Sequence, residues 1–205
     1  MGKLRLGFLA SHGGSNMQAI IDACKDGRLH AEPAAVISNN SESTALERAR
    51  REGIPGFHLS SATHPDPAEL DAAILRVLEE RGVDLVVLAG YMKLLGPKSL
   101  ERYRGRILNI HPALLPKFGG KGLYGIRVHE AVLAAGETVT GVTIHLVDER
   151  YDHGPTVAQR EVPVMDGDTP ESLAARVLEQ EHRLFPETLE KIARGEIDLD
   201  AVARR

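Results

Sequence analysis

One cysteine, no apolar run longer than a strand and no surplus of basic residues exclude several kinds of protein before any motif is read. Cys24 has no partner for an internal disulfide, which suits a reducing compartment. It sits in Ala19-Ile20-Ile21-Asp22-Ala23-Cys24, a helix-period segment with no histidine close in sequence. It therefore reads as a small buried hydrophobe rather than a nucleophile. The longest apolar stretches, such as Leu85-Val86-Val87-Leu88-Ala89, are far too short to span a bilayer. Gly2-Lys3-Leu4-Arg5 leads straight into a strand-like segment without a secretory-leader pattern, so a cytoplasmic location is the expectation. With 25 Lys and Arg against 29 Asp and Glu the net charge is -4, which offers no basic footprint for nucleic acid.

What is present is the composition of an ordinary globular protein, 42% hydrophobic and 26% charged over 205 residues, enough for one substantial core. Apolar runs alternate with helix-period segments from the start. Leu4 to Ala10, Ala34 to Ser38, Phe57 to Leu59, Asp84 to Ala89 and Arg106 to Ile110 read as strands. Ser15 to Lys25, Ser43 to Glu52, Pro67 to Arg81 and Arg127 to Ala135 read as helices. Val139 to Val147 and Thr156 to Val164 read as two further strands, at least one antiparallel at a sheet edge. Thr169-Pro170-Glu171 opens a long helix through about Arg194, with Pro186 as the point where it could kink. The pattern predicts an α/β protein with a single domain over 1–205. Its expected form is a Rossmann-like, mostly parallel sheet with helices on both faces and an antiparallel edge.

Three segments carry chemistry. In Ile107-Leu108-Asn109-Ile110-His111-Pro112, strand alternation projects Asn109 and His111 side by side, and Pro112 and Pro116 hold the following chain as a loop. An amide donor beside a titratable base at a strand's carboxyl end suits attack on a carbonyl. After the first strand, Ser11-His12-Gly13-Gly14-Ser15-Asn16 is a glycine-rich turn in which Ser15 or Asn16 could cap the next helix. It reads either as a site for a single phosphate or as chain geometry alone; the dinucleotide and P-loop fingerprints are absent. The acidic loop Asp148-Glu149-Arg150-Tyr151-Asp152-His153-Gly154-Pro155 offers carboxylates that would raise the His111 pKa. From the residues alone the plainer readings are that Asp152 is a turn residue and His145 a satisfied, half-buried histidine. The nine histidines show no HExxH, no cysteine cluster and no compact ligand spacing, so no metal is expected. No GxSxG elbow is present, which leaves direct transfer rather than an acyl-enzyme.

Over nearly its whole length the chain resembles the folate-dependent formyltransferases, and among them the glycinamide ribonucleotide formyltransferases. The resemblance rests on Gly14-Ser15-Asn16, Leu46-Glu47-Arg48-Ala49 and Val86-Val87-Leu88-Ala89-Gly90-Tyr91-Met92. It continues in Asn109-Ile110-His111-Pro112 with Leu114-Leu115-Pro116, in Asp152-x-Gly154-Pro155 and in Gln180-Glu181-His182. It implies that 10-formyltetrahydrofolate is the co-substrate and that the amine of glycinamide ribonucleotide takes the formyl group. Asn109, His111 and Asp152 are then catalytic. Gly14, Ser15 and Asn16 receive the substrate phosphate, and Glu181 lies near the substrate. Met92, Lys93, Leu94, Leu95, Asn109 and the run Asp148, Glu149, Arg150, Tyr151 and Asp152 flank the folate. The N-terminal half is expected to bind the nucleotide phosphate and the C-terminal half the folate, in a monomer or homodimer without membrane or nucleic-acid partners. At 205 residues neither the C-terminal domain of the tRNA formyltransferases nor the regulatory domain of the deformylases is expected.

Two segments depart from that family pattern. His64-Pro65-Asp66-Pro67-Ala68-Glu69 lacks the arginine that helps hold the substrate phosphate in such enzymes. The loop Lys117-Phe118-Gly119-Gly120-Lys121-Gly122-Leu123-Tyr124-Gly125 is longer and lacks a histidine expected just before His129. Lys121 or Arg127 is expected to supply some of the missing positive charge.

Overall fold

The computed structural model describes residues 2–204. Strands β1 (Leu4–Ala10), β2 (Ala31–Ser38), β3 (Gly56–His58), β4 (Leu85–Leu88), β5 (Ile107–His111), β6 (Val139–Leu146) and β7 (Thr156–Pro163) form one seven-stranded sheet in the order β3-β2-β1-β4-β5-β6-β7. Pairings from β3 through β5 are parallel; β6 runs antiparallel to β5, and β7 antiparallel to β6. The helices are α1 (Ser15–Lys25), α2 (Thr44–Arg51), α3 (Pro67–Glu80), α4 (Pro97–Arg102), α5 (Ile126–Ala134), α6 (Pro170–Ala193) and α7 (Leu199–Ala203). Among the described residues no helix is long and apolar enough to cross a membrane.

Both faces of the sheet are covered. Leu6, Phe8 and Ala10 of β1, with Leu85 and Val87 of β4, join the core that includes Leu173, Val177 and Phe185 of α6. The intervening Leu9, Val86 and Leu88 join a second core with Ile74 and Leu78 of α3. This alternation is why the central strands read as unbroken apolar runs. The expected elements are present, most of them to within a residue at each end, and α6 runs unbroken through Pro186; three further differences bear on the site or the sheet. β2 begins at Ala31, three residues early, because Pro33 falls at a register irregularity beside Leu6 and Gly7 where a missing N–H is tolerated. β5 extends to His111, placing the imidazole on the strand itself. α7 is an additional short helix, capped by the Asp198 side chain. Because β2 and β3 lie on one side of β1 while β4 and β5 lie on the other, strand order reverses there, and ligands favour the crevice beyond such a point.

Candidate active site

β5 and β6 bring three of the key side chains onto one face. Leu108 and Ile110 point into the α6-side core, so Asn109 and His111 project from the opposite face, and antiparallel register sets His145 directly across from Asn109. The loop after β6 folds back to bring Asp152 among them. Asp152 adopts φ +53°, a left-handed conformation that aspartate tolerates better than most side chains. Gly154, two residues later, lies against the Leu146 carbonyl, where a side chain would collide with the backbone. The glycine in the Asp152-x-Gly154-Pro155 turn thus fixes how tightly the loop returns.

The Asn109 amide Nδ2 lies 3.1 Å from His145 Nε2 and 3.5 Å from Asp152 Oδ1. His145 Nδ1 lies 2.8 Å from the Leu146 carbonyl, so we assign its proton there, leaving Nε2 to accept from Asn109. His111, 4% exposed, donates from Nε2 to the Phe118 carbonyl at 2.7 Å, and its Nδ1 stands 3.5 Å from Asp152 Oδ2. Asp152 Oδ2 also accepts the Gly120 N–H at 3.0 Å. Burial pushes the Asp152 carboxyl up, but His145, the nearby His111 and the Gly120 N–H outweigh it, and its pKa falls below the ordinary value. The expected rise at His111 is not found. Burial draws its pKa below the ordinary value, and this exceeds the opposing pull of Asp152 and the Phe118 carbonyl. The direction favours the neutral imidazole, with its proton on Nε2 and its Nδ1 lone pair on the side of Asp152. Protonating that nitrogen creates an ion pair with Asp152.

The second half of the site is the turn between β1 and α1. Gly14 caps α1 at φ +68°, where a Cβ would stand 2.9 Å from Ala45 Cβ, and α1 starts without a side-chain cap. Ser15 and Asn16 do not cap the helix as expected. Ser15 Oγ pairs with His182 Nε2 at 3.1 Å, and Asn16 Nδ2 donates to Glu181 Oε2 at 2.7 Å, so both are committed to α6. The first N–H groups of α1 remain available to an anion. Glu181 is 7% exposed; burial lifts its carboxyl to about 7 against the downward pull of Asn16. Arg48 Nε donates to the Gly13 carbonyl at 2.9 Å, and no carboxylate pairs with Arg48 among the described residues. Sequence reasoning noted Arg48 within its motif without giving it a task; only the fold shows α2 delivering it to the glycine turn.

A cavity of about 630 Å³ joins the two halves, lined by Asn16, Asn109, His111, Asp152 and Glu181 among others. Met92 and Tyr151 of the expected folate-flanking residues line it too, as do Lys121 and Arg127 from the long loop and α5. Arg127 lies over the Tyr124 ring, 5.3 Å from its centroid. Several expected contacts lie elsewhere. Leu95 is buried in the α3-side core and anchors its loop from beneath; Lys93 and Leu94 are exposed outside the lining. Asp148 accepts from Arg150 N at 2.8 Å and lies 2.7 Å from His153 Nδ1, which shapes the turn, while Glu149 and Arg150 face outward. Lining residues Leu123, His129, Ala174 and Leu178 were missed, because helix and loop periodicity mark them only as ordinary packing positions. Among the described residues, no three His, Cys, Asp or Glu side chains are grouped to hold a metal.

The family model described as formyl transferase matches residues 4–189. The chain is 40% identical to a phosphoribosylglycinamide formyltransferase of Haemophilus influenzae, over 95% of this chain and 90% of that protein. It is 43% identical to a chloroplastic protein of the same name from Vigna unguiculata, matching 94% of this chain but spanning only 62% of that protein's length. Among solved structures, glycinamide ribonucleotide transformylase 1 from Symbiobacterium toebii superposes with a TM-score of 0.87 at 43% identity, covering 94% of this chain and 89% of that one. With the Asn109, His111 and Asp152 cluster set at the carboxyl end of β5, these matches show that the chain belongs to the formyl transferase family.

Proposed function

We propose that the protein transfers the formyl group of 10-formyltetrahydrofolate to the amine of glycinamide ribonucleotide, giving formylglycinamide ribonucleotide and tetrahydrofolate. The observation that carries this reading is one continuous cavity that reaches Asn16 in the first turn of α1 and is also lined by an amide, a neutral imidazole and a carboxylate. The amine nitrogen bonds to the formyl carbon, and the carbonyl π electrons move onto oxygen. The Asn109 amide donates to that oxyanion, a contribution of about 3 kcal/mol for a donor of this type. His111 Nδ1 takes the proton lost by the attacking nitrogen, and Asp152 stabilises the resulting imidazolium. Collapse of the tetrahedral intermediate breaks the bond to the folate N10, which leaves with the proton from His111. Gly14, Ser15 and Asn16 present the start of α1 to the ribonucleotide phosphate, with Arg48 adding positive charge beside the turn. The folate enters past Met92 and Tyr151.

The reading carries a cytoplasmic enzyme, monomeric or homodimeric, that uses small molecules without a metal. The test is to mix the protein with 10-formyltetrahydrofolate and glycinamide ribonucleotide and follow tetrahydrofolate release. Turnover with this amine is expected; turnover only with another amine, or none, overturns the assignment.

A further inference from the structure

His129 is a buried polar residue of the cavity wall that this chemistry leaves unused. It lies in the first turn of α5, is 4% exposed, and lines the cavity that holds His111 and Asp152. Among the described residues its enclosed Nδ1 has no hydrogen-bond partner, and the ring makes no protein hydrogen bond. Nε2 is therefore the ring nitrogen through which His129 meets the cavity. A neutral imidazole carries one proton, and enclosing an unpartnered N–H costs more than enclosing a lone pair, since the donor loses its only bond. The proton accordingly belongs on Nε2. That Nε2–H has no protein acceptor among the described residues, so on the wall of the cavity it is free to donate to a bound ligand.

We infer that His129 is a substrate-contacting donor, its Nε2–H aimed at a carbonyl oxygen bound beside His111. Burial and the neighbouring His111 both draw its pKa below the ordinary value, which keeps the ring in the neutral, donating form. The inference rests on the formyl-transfer reading, which supplies two such oxygens: the carboxamide of the amine substrate and the formyl oxygen that becomes anionic. Asn109 alone offers the latter only a single donor side chain, so a second at this wall would share the developing charge.

The experiment compares the wild-type enzyme with His129→Leu and His129→Gln in the tetrahydrofolate-release assay. Leucine fills a similar volume and removes both nitrogens. Glutamine places an amide N–H close to the position of Nε2. His129→Leu is expected to lose roughly 10- to 100-fold in kcat/KM, and His129→Gln to recover most of it. A loss carried by kcat identifies the formyl oxygen, and a loss carried by the ribonucleotide KM identifies the carboxamide; both support the inference. His129→Leu with wild-type constants overturns it. Absence of turnover in the wild-type enzyme strikes the formyl-transfer reading instead. If His129→Leu fails to fold, imidazole nitrogen NMR of the wild-type protein decides. The His129 Nε2–H signal should shift when either 10-formyltetrahydrofolate or glycinamide ribonucleotide is added alone, and no shift with either overturns the inference.

Discussion

Asp152→Asn isolates a single charge. Asparagine is isosteric, tolerates the left-handed φ of +53° at this position, and keeps an oxygen to accept the Gly120 N–H, so the loop and the Phe118 carbonyl contact should persist. What disappears is the anion whose Oδ2 lies 3.5 Å from His111 Nδ1. A unit charge pair with centres about 4 to 5 Å apart is stabilised by roughly 3 to 4 kcal/mol at an effective dielectric near 20. With the proton about half transferred in the transition state, about half of that is lost, so kcat should fall roughly 10- to 30-fold, with full transfer setting a ceiling near 10³. The pH profile provides the sharper readout. Burial already holds the His111 pKa below 6.5, and Asp152 is the largest influence opposing it. Without the carboxylate, the acid limb of kcat/KM should move to still lower pH while the thermal midpoint changes little. Steady-state kinetics from pH 5 to 9 would measure both. A variant with kcat within threefold of wild type and an unmoved acid limb would refute the proposed division of labour.

Asn109→Ala should lower kcat by about 10²- to 10³-fold, the loss of one oxyanion donor, and wild-type kcat in a folded variant would exclude that role. Glu181 binds its proton more tightly in the folded chain, at about 7 against 4.5, so its stabilising contribution is present below pH 4.5 and lost as pH rises through 7. Glu181→Gln should remove that loss, worth about 3 kcal/mol. Melting curves at pH 5 and 8 that move in parallel for variant and wild type would contradict it. Gly14→Ala puts a Cβ 2.9 Å from Ala45 Cβ at positive φ, and should cost at least about 1 kcal/mol of stability and raise the ribonucleotide KM. Lys121→Ala should raise the ribonucleotide KM if that exposed lysine supplies phosphate charge; an unchanged KM leaves the task to Arg48.

The parallel core was legible because strands buried on both faces spell themselves as apolar runs, and β1 and α1 were found at their observed limits. Pro33 hid the start of β2, since a proline reads as a strand terminus unless the neighbouring strand is known to shift register there. Asn109 and His111 were visible through period-two alternation alone. The protonation of His111 was not: the attraction of Asp152 can be guessed from sequence, but the depth of burial that overrides it is a property of the assembled fold. For the same reason His145 stayed ambiguous. Its place opposite Asn109 depends on a register set 36 residues away. Arg48 and His129 lie on helices whose patterns reveal their own faces but not which cavity those faces meet.

The hydrogen bonds from Asn16 to Glu181 and between Ser15 and His182 join residues 165 and 167 positions apart. Each closes a loop of nearly the whole chain, a cost that the packing of α1 and α6 against the same sheet helps to meet. A ligand spanning the α1 turn and the Glu181 wall would tie the two ends of the chain to each other. Its binding energy would then add to the stability of the whole domain by RT ln(1 + [L]/Kd), making substrate supply a determinant of the protein's lifetime as well as of its rate.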